Sequence, residues 1–208
     1  STPLHMPTFM REKDVVDIWL PTYLRLCQDY SARGVRINAF CEDNWMRYLD
    51  LLQELPAGHQ LRFEYGDPKV IKAKLGNKFI LGGMYPVEYL KHRTKQECID
   101  KAKELLDVML PGGGYVFGFD KKPLTLGDVN LDNLAALAEF IRDYAVYDNA
   151  GQSYGTPLNS EGFTVKEELL RPIPSKYTFD WESFREKYPQ TPDYAKVNFE
   201  IYDKDVFR

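Results

Sequence analysis

Four times in 208 residues the chain passes from a short β-like stretch, through a turn, into a stretch with a helical apolar stripe. No other feature limits the fold as strongly, because strands joined through helices pair in parallel. The strands are expected at 35–40, 61–65, 79–83 and 115–119, and the helices that follow them at 45–55, 70–75, 95–109 and 131–147. A further helix over 13–30 precedes the first strand and hands the chain to it through Gly34. Local signals fix two of the helix starts. Asp67 can cap the helix at 70–75 while Pro68 fills its first turn, where a missing N–H costs nothing. Thr94 and Glu97 have capping-box spacing, and Cys98, Ile99, Ala102, Leu105, Leu106 and Met109 then fall on one face.

Repeated βα units build either a doubly wound sheet or a (β/α)8 barrel. A dinucleotide-binding sheet needs a glycine-rich turn after its first strand, whereas Gly112, Gly113 and Gly114 precede a strand. No P-loop is present either, so no nucleotide cofactor is expected. The α/β class expected is half of a TIM barrel, four parallel βα units over 1–150. An irregular C-terminal arm over 151–208 is rich in aromatic residues such as Phe163, Tyr177, Trp181 and Tyr202. Asp180 would cap a short helix at 181–187. Hydrophobic residues at 44% suffice for a sizeable core. A net charge of −4 offers no basic stripe for nucleic acid, and no apolar run approaches the ~20 residues of a membrane span. Three scattered cysteines fit a reducing cytoplasm better than a disulfide framework.

The run from Pro111 to Asp120, with its three glycines, followed by Asp128-Val129-Asn130-Leu131, resembles the last βα unit of the uroporphyrinogen decarboxylase superfamily. Residues 78–83 and 94–98 resemble the unit before it, and 35–43 resembles the strand that carries a His-x-Cys zinc motif in the family's corrinoid-dependent methyltransferases. The resemblance covers 3–148 and implies the C-terminal half of the barrel. It implies one of two chemistries: methyl transfer between a corrinoid and a thiol or pterin, often with zinc, or cofactor-free decarboxylation of a tetrapyrrole. Cys41 matches the motif cysteine, while the motif histidine falls on Ala39 and a second family cysteine is replaced by Phe119-Asp120. Glu42, Asp120 or His5 would then complete a zinc site with Cys41.

Barrel active sites lie where strands end. The residues there are Cys41, Glu42, Asp43 and Asn44, then Glu64, Tyr65 and Asp67, then Met84 and Tyr85, and last Asp120, Lys121 and Lys122. Cys41 is either a zinc thiolate or a small buried hydrophobe. Glu42 and Asp120 are the candidates for proton transfer, with Glu42 also a candidate ligand. Asp43 either grips a cationic group or, like Asn44, caps the helix ahead of Trp45. Asp43, Tyr65, Met84, Lys121 and Lys122 are the candidate substrate-binding residues, the lysines for an anion or as solvated loop residues. His5 is a ligand or a structural histidine. His59 and His92 read as surface residues, and Cys27 and Cys98 as core.

Four parallel strands cannot close on themselves. The start at Ser1 suits a trimmed or separately produced piece, so the missing half is expected from a longer protein, a separate N-terminal half or a second copy. A corrinoid protein is a further expected partner. The third functional expectation is a non-catalytic half-barrel that binds or assembles.

Overall fold

One sheet carries five parallel strands in the order of the sequence: β1 (Thr2–Leu4), β2 (Asn38–Cys41), β3 (Gln60–Phe63), β4 (Ile80–Tyr85) and β5 (Tyr115–Phe119). The computed structural model describes residues 1–147, 181–193 and 196. Two compact units divide the chain, Ser1–Arg171 and Pro172–Arg208. Among the described residues no helix is long and apolar enough to cross a membrane.

Each connection runs through helix. Between β1 and β2 come the short α1 (Met6–Phe9) and α2 (Glu12–Asp14), a π-helical turn over Val15–Trp19, and α3 (Leu20–Ala32). A 3-10 turn, Met46–Tyr48, and α4 (Leu49–Leu52) lead to β3, and α5 (Pro68–Leu75) leads to β4. The pair α6 (Glu88–His92) and α7 (Lys95–Met109) leads to β5, which is followed by α8 (Leu131–Tyr144). Asp67 does cap α5, accepting from the Lys69 N–H at 2.8 Å, and Thr94 and Glu97 do form the capping box of α7.

Sequential order has a consequence for the faces. Crossovers between parallel strands are almost always right-handed, so strands laid down in one direction receive all their helices on one side. Burial agrees. Register places Ala39, Leu61 and Leu81 side by side, and Cys41 beside Leu4 and Phe63, all of them buried. The alternate residues Phe40, Arg62 and Val116 are half-buried or exposed. A parallel sheet covered on both faces would be buried throughout. This one-sided, unreversed sheet is compatible with part of a βα barrel. Trp45, Tyr48 and Leu52 seal the helical side, with the Trp45 ring 5.5 Å from Trp19 and 5.9 Å from Tyr48.

Three expectations need correction. The sheet has five strands in place of four, because Thr2–Leu4 pairs with β2 in the register Thr2↔Ala39, Leu4↔Cys41. His59, read as a surface residue, is 1% exposed. Its Nδ1 accepts the Ile37 N–H at 2.9 Å, just before β2 begins, which leaves the proton on Nε2 to donate to Ser31 Oγ at 2.9 Å. The ring thus ties the end of α3 to the start of β2. Burial, with Arg36 adding to it, lowers the His59 pKa to about 4. The helix expected at 45–55 is also shorter than read, since Asn44 Oδ1 accepts the Met46 N–H to start a 3-10 turn and the chain leaves helix ahead of Pro56. His92 is exposed, and Cys27 and Cys98 are buried, as read.

In the second unit α9 (Trp181–Lys187) forms where a helix was expected, with Trp181 stacked on Phe184. Asp180 and most of the aromatic arm lie outside the described residues.

Candidate functional site

Because the strands are parallel and in register, their C-terminal ends bring the loops after β1, β2, β3 and β5 to one rim of the sheet. Glu64, the first residue beyond β3, is the organising group. Its carboxylate is 5% exposed. One oxygen, Oε2, accepts the Asp43 N–H at 2.6 Å, and Oε1 receives the Lys121 ammonium at 2.8 Å. Lys121 Nζ also donates to the Tyr65 hydroxyl at 3.1 Å and stands 5.3 Å from the centre of that ring. Burial pushes the Glu64 carboxyl up, but the Asp43 N–H and the Lys121 ammonium outweigh it and hold the group below the ordinary carboxylate range. Glu64 in turn raises Lys121.

Asp43 pays for its place with an unusual backbone. It sits at φ 63°, the left-handed region that most side chains avoid, and its N–H points at Glu64 as a result. It does not cap the following turn, a role that falls to Asn44. Beside it His5 Nδ1 meets Glu42 Oε2 at 2.5 Å, with both side chains partly open to solvent. His5, Glu42, Asp43, Glu64, Tyr65 and Lys121 line a cavity of about 290 Å³. Five of these six were singled out from sequence. Glu64 was seen at a strand end and given no role, although the Gln60, Arg62, Glu64 alternation placed it opposite the core-facing Leu61 and Phe63.

The remaining predicted residues go elsewhere. Cys41 is fully buried on the helix-covered face, one residue and one face away from Glu42, and burial pushes its thiol well above the ordinary range. A cysteine binds zinc as the thiolate. Among the described residues no three His, Cys, Asp and Glu side chains converge as a metal-holding group. Cys41, Glu42 and His5 therefore do not fit zinc as one donor set. Asp120 turns back into the structure, where Oδ1 accepts the Val87 N–H at 2.9 Å ahead of α6 and the Lys121 N–H at 2.7 Å. Met84, the last residue but one of β4, sits at φ 71° and is 8% exposed. Asp120 and Met84 share a larger cavity of about 820 Å³ with Asp67, Glu88 and Glu104, and Glu64 and Tyr65 stand between the two cavities, lining both. Lys122 is exposed and outside both.

No protein-family model, curated protein or solved structure matches this chain.

Proposed function

We propose that the chain is a half-barrel of the uroporphyrinogen decarboxylase superfamily that serves methyl transfer from a corrinoid to a thiol, with His5, oriented by Glu42, as the proton acceptor. The observation that carries this is the His5–Glu42 pair at the wall of the small strand-end cavity. A carboxylate on one imidazole nitrogen fixes the ring and its tautomer and leaves the lone pair of the other nitrogen to accept a proton. The corrinoid supplies a methyl carbon open to attack. A thiol seated in the cavity gives its proton to His5 Nε2, its sulfur forms the new S–C bond, and the donor keeps the electron pair of the bond that breaks. Lys121 and Tyr65 line the same cavity.

Charge favours this over decarboxylation of a tetrapyrrole. Gripping several substrate carboxylates calls for cations, and the cavity offers three carboxylates, from Glu42, Asp43 and Glu64, against one lysine. A second, non-catalytic reading draws on the internal bonds of Glu64 and Asp120, which occupy two acids that a reaction would otherwise use. In either reading the strands beyond β1 and β5 come from the rest of a longer protein, a separate N-terminal half or a second copy.

The test is to incubate the chain with methylcobalamin and 2-mercaptoethanol and to follow the thioether by mass spectrometry. Thioether formed faster than in the protein-free control supports methyl transfer. Methylcobalamin binding without thioether favours the binding subunit, and turnover of a porphyrinogen in place of the thiol overturns the proposal.

A further inference from the structure

The charge and shape of the small cavity, together with the residue that fills part of it, define what it selects. Its most buried polar group is the Glu64 carboxylate, which would be costly without a cation beside it. The cation that meets it belongs to Lys121, a side chain 55% exposed at the end of a flexible stem. Lys121 regains water when it swings out, while Glu64 keeps the Asp43 N–H and takes the ligand's cation in place of the lysine's. The rest of the wall suits the same chemistry. Glu42 and Asp43 add two carboxylates, so the cavity stays negative whether or not His5 is protonated. Tyr65 presents a ring face to the ammonium, and Phe9, 79% exposed, offers a second aromatic surface.

We infer that the small cavity selects a ligand bearing an ammonium group, and that Lys121 is a tethered occupant that such a ligand displaces. This rests on reading the cavity as the acceptor site, and it narrows the acceptor to an amino-thiol over a thiol that carries a carboxylate. The ligand ammonium takes the place of Lys121 Nζ between Glu64 Oε1 and the Tyr65 hydroxyl, and no covalent step is involved. A carboxylate-bearing ligand in the same place would face Glu42, Asp43 and Glu64.

Removing the tether tests this with a probe of known structure. Lys121→Ala and Lys121→Gln empty the seat while changing a side chain that is mostly in solvent. Thermal melting is recorded with ethylammonium chloride, and with potassium chloride and sodium propionate at equal ionic strength. Ethylammonium should raise the Tm of both variants by about 2–4 °C over potassium chloride once it is well above its Kd. The wild-type chain, where ethylammonium must first displace Lys121, should show a smaller rise at the same concentration. The Asp43 amide, bonded to Glu64, is a local reporter whose NMR resonance should return toward its wild-type position as ethylammonium is added. No rise over potassium chloride in either variant, or an equal rise with propionate, overturns the inference. The readout is binding alone. A chain that binds ethylammonium yet transfers no methyl group sinks the proposed function and leaves this assignment standing, and the reverse result does the opposite.

Discussion

Replacing Glu64 by alanine deletes two interactions of very different worth. The Lys121 ammonium is largely in water, so its loss from the pair costs no more than about 1 kcal/mol. The Asp43 N–H is another matter, since it is partly buried and bonded to the carboxylate at 2.6 Å. Leaving such a donor without an acceptor costs about 1–3 kcal/mol. That bond also holds Asp43 at φ 63°, a conformation that costs roughly 1–2 kcal/mol when nothing enforces it. Relaxation of the loop limits the total, which comes to about 2–4 kcal/mol for Glu64→Ala, or a Tm lower by roughly 4–16 °C at this chain length. Lys121→Ala should cost under about 1 kcal/mol, and the double variant should match Glu64→Ala within ~0.5 kcal/mol. Urea and thermal unfolding followed by circular dichroism measure all three. The sign with pH follows from the lowered Glu64 pKa: the stabilisation is present above the ordinary carboxylate pKa and is lost as acid protonates the folded group. If Lys121→Ala costs as much as Glu64→Ala, the ion pair and not the Asp43 bond organises the rim, and the reasoning fails.

Three further outcomes follow from the same structure. His59, at about 4 when folded and near 6.5 when unfolded, resists a proton that the unfolded chain accepts, so stability should fall by ~3 kcal/mol between pH 6.5 and 4. Melts across that range should be steeper for the wild type than for His59→Gln. Cys41 should stay unmodified by a thiol reagent in the native chain and react fully in denaturant, because its thiol is buried and held neutral. Gly83→Ala should abolish folding or cost more than ~3 kcal/mol, since a Cβ there lies 2.4 Å from the Phe63 carbonyl oxygen at φ 81°. Soluble expression and melting temperature would show it.

What the sequence made legible was local. The α7 boundaries follow from Thr94, Glu97 and the apolar stripe, all within one segment, and β5 was read to the residue for the same reason. What it hid depends on partners far along the chain. Thr2–Leu4 is too short to show alternation and becomes a strand only through its register with Ala39 and Cys41. His59 sits in a glycine turn that reads as surface, and its burial is set by the Ile37 N–H and Ser31, 22 and 28 residues away. At the site, Glu42, Asp43, Tyr65 and Lys121 could be named together because parallel strands place their ends on one rim. Glu64 could not be told from a solvated glutamate, since its partners, the Asp43 N–H 21 residues earlier and Lys121 57 positions later, come from other strand ends. Cys41 shows how a motif likeness and a pleat can disagree. The alternation Ala39, Phe40, Cys41 already assigned it to the core face, and the packing of Leu4 and Phe63 against it agrees.

The most direct measurement is the single-turnover rate of thioether formation from methylcobalamin and a thiol, for the wild-type chain and for His5→Gln and Glu42→Gln. A base in hydrogen-bond reach of its proton contributes about 10²–10⁴-fold, so His5→Gln should slow the reaction by that factor. Glu42→Gln, which leaves the imidazole but removes its carboxylate, should slow it less and shift its pH profile. Rates unchanged in both variants would contradict the account.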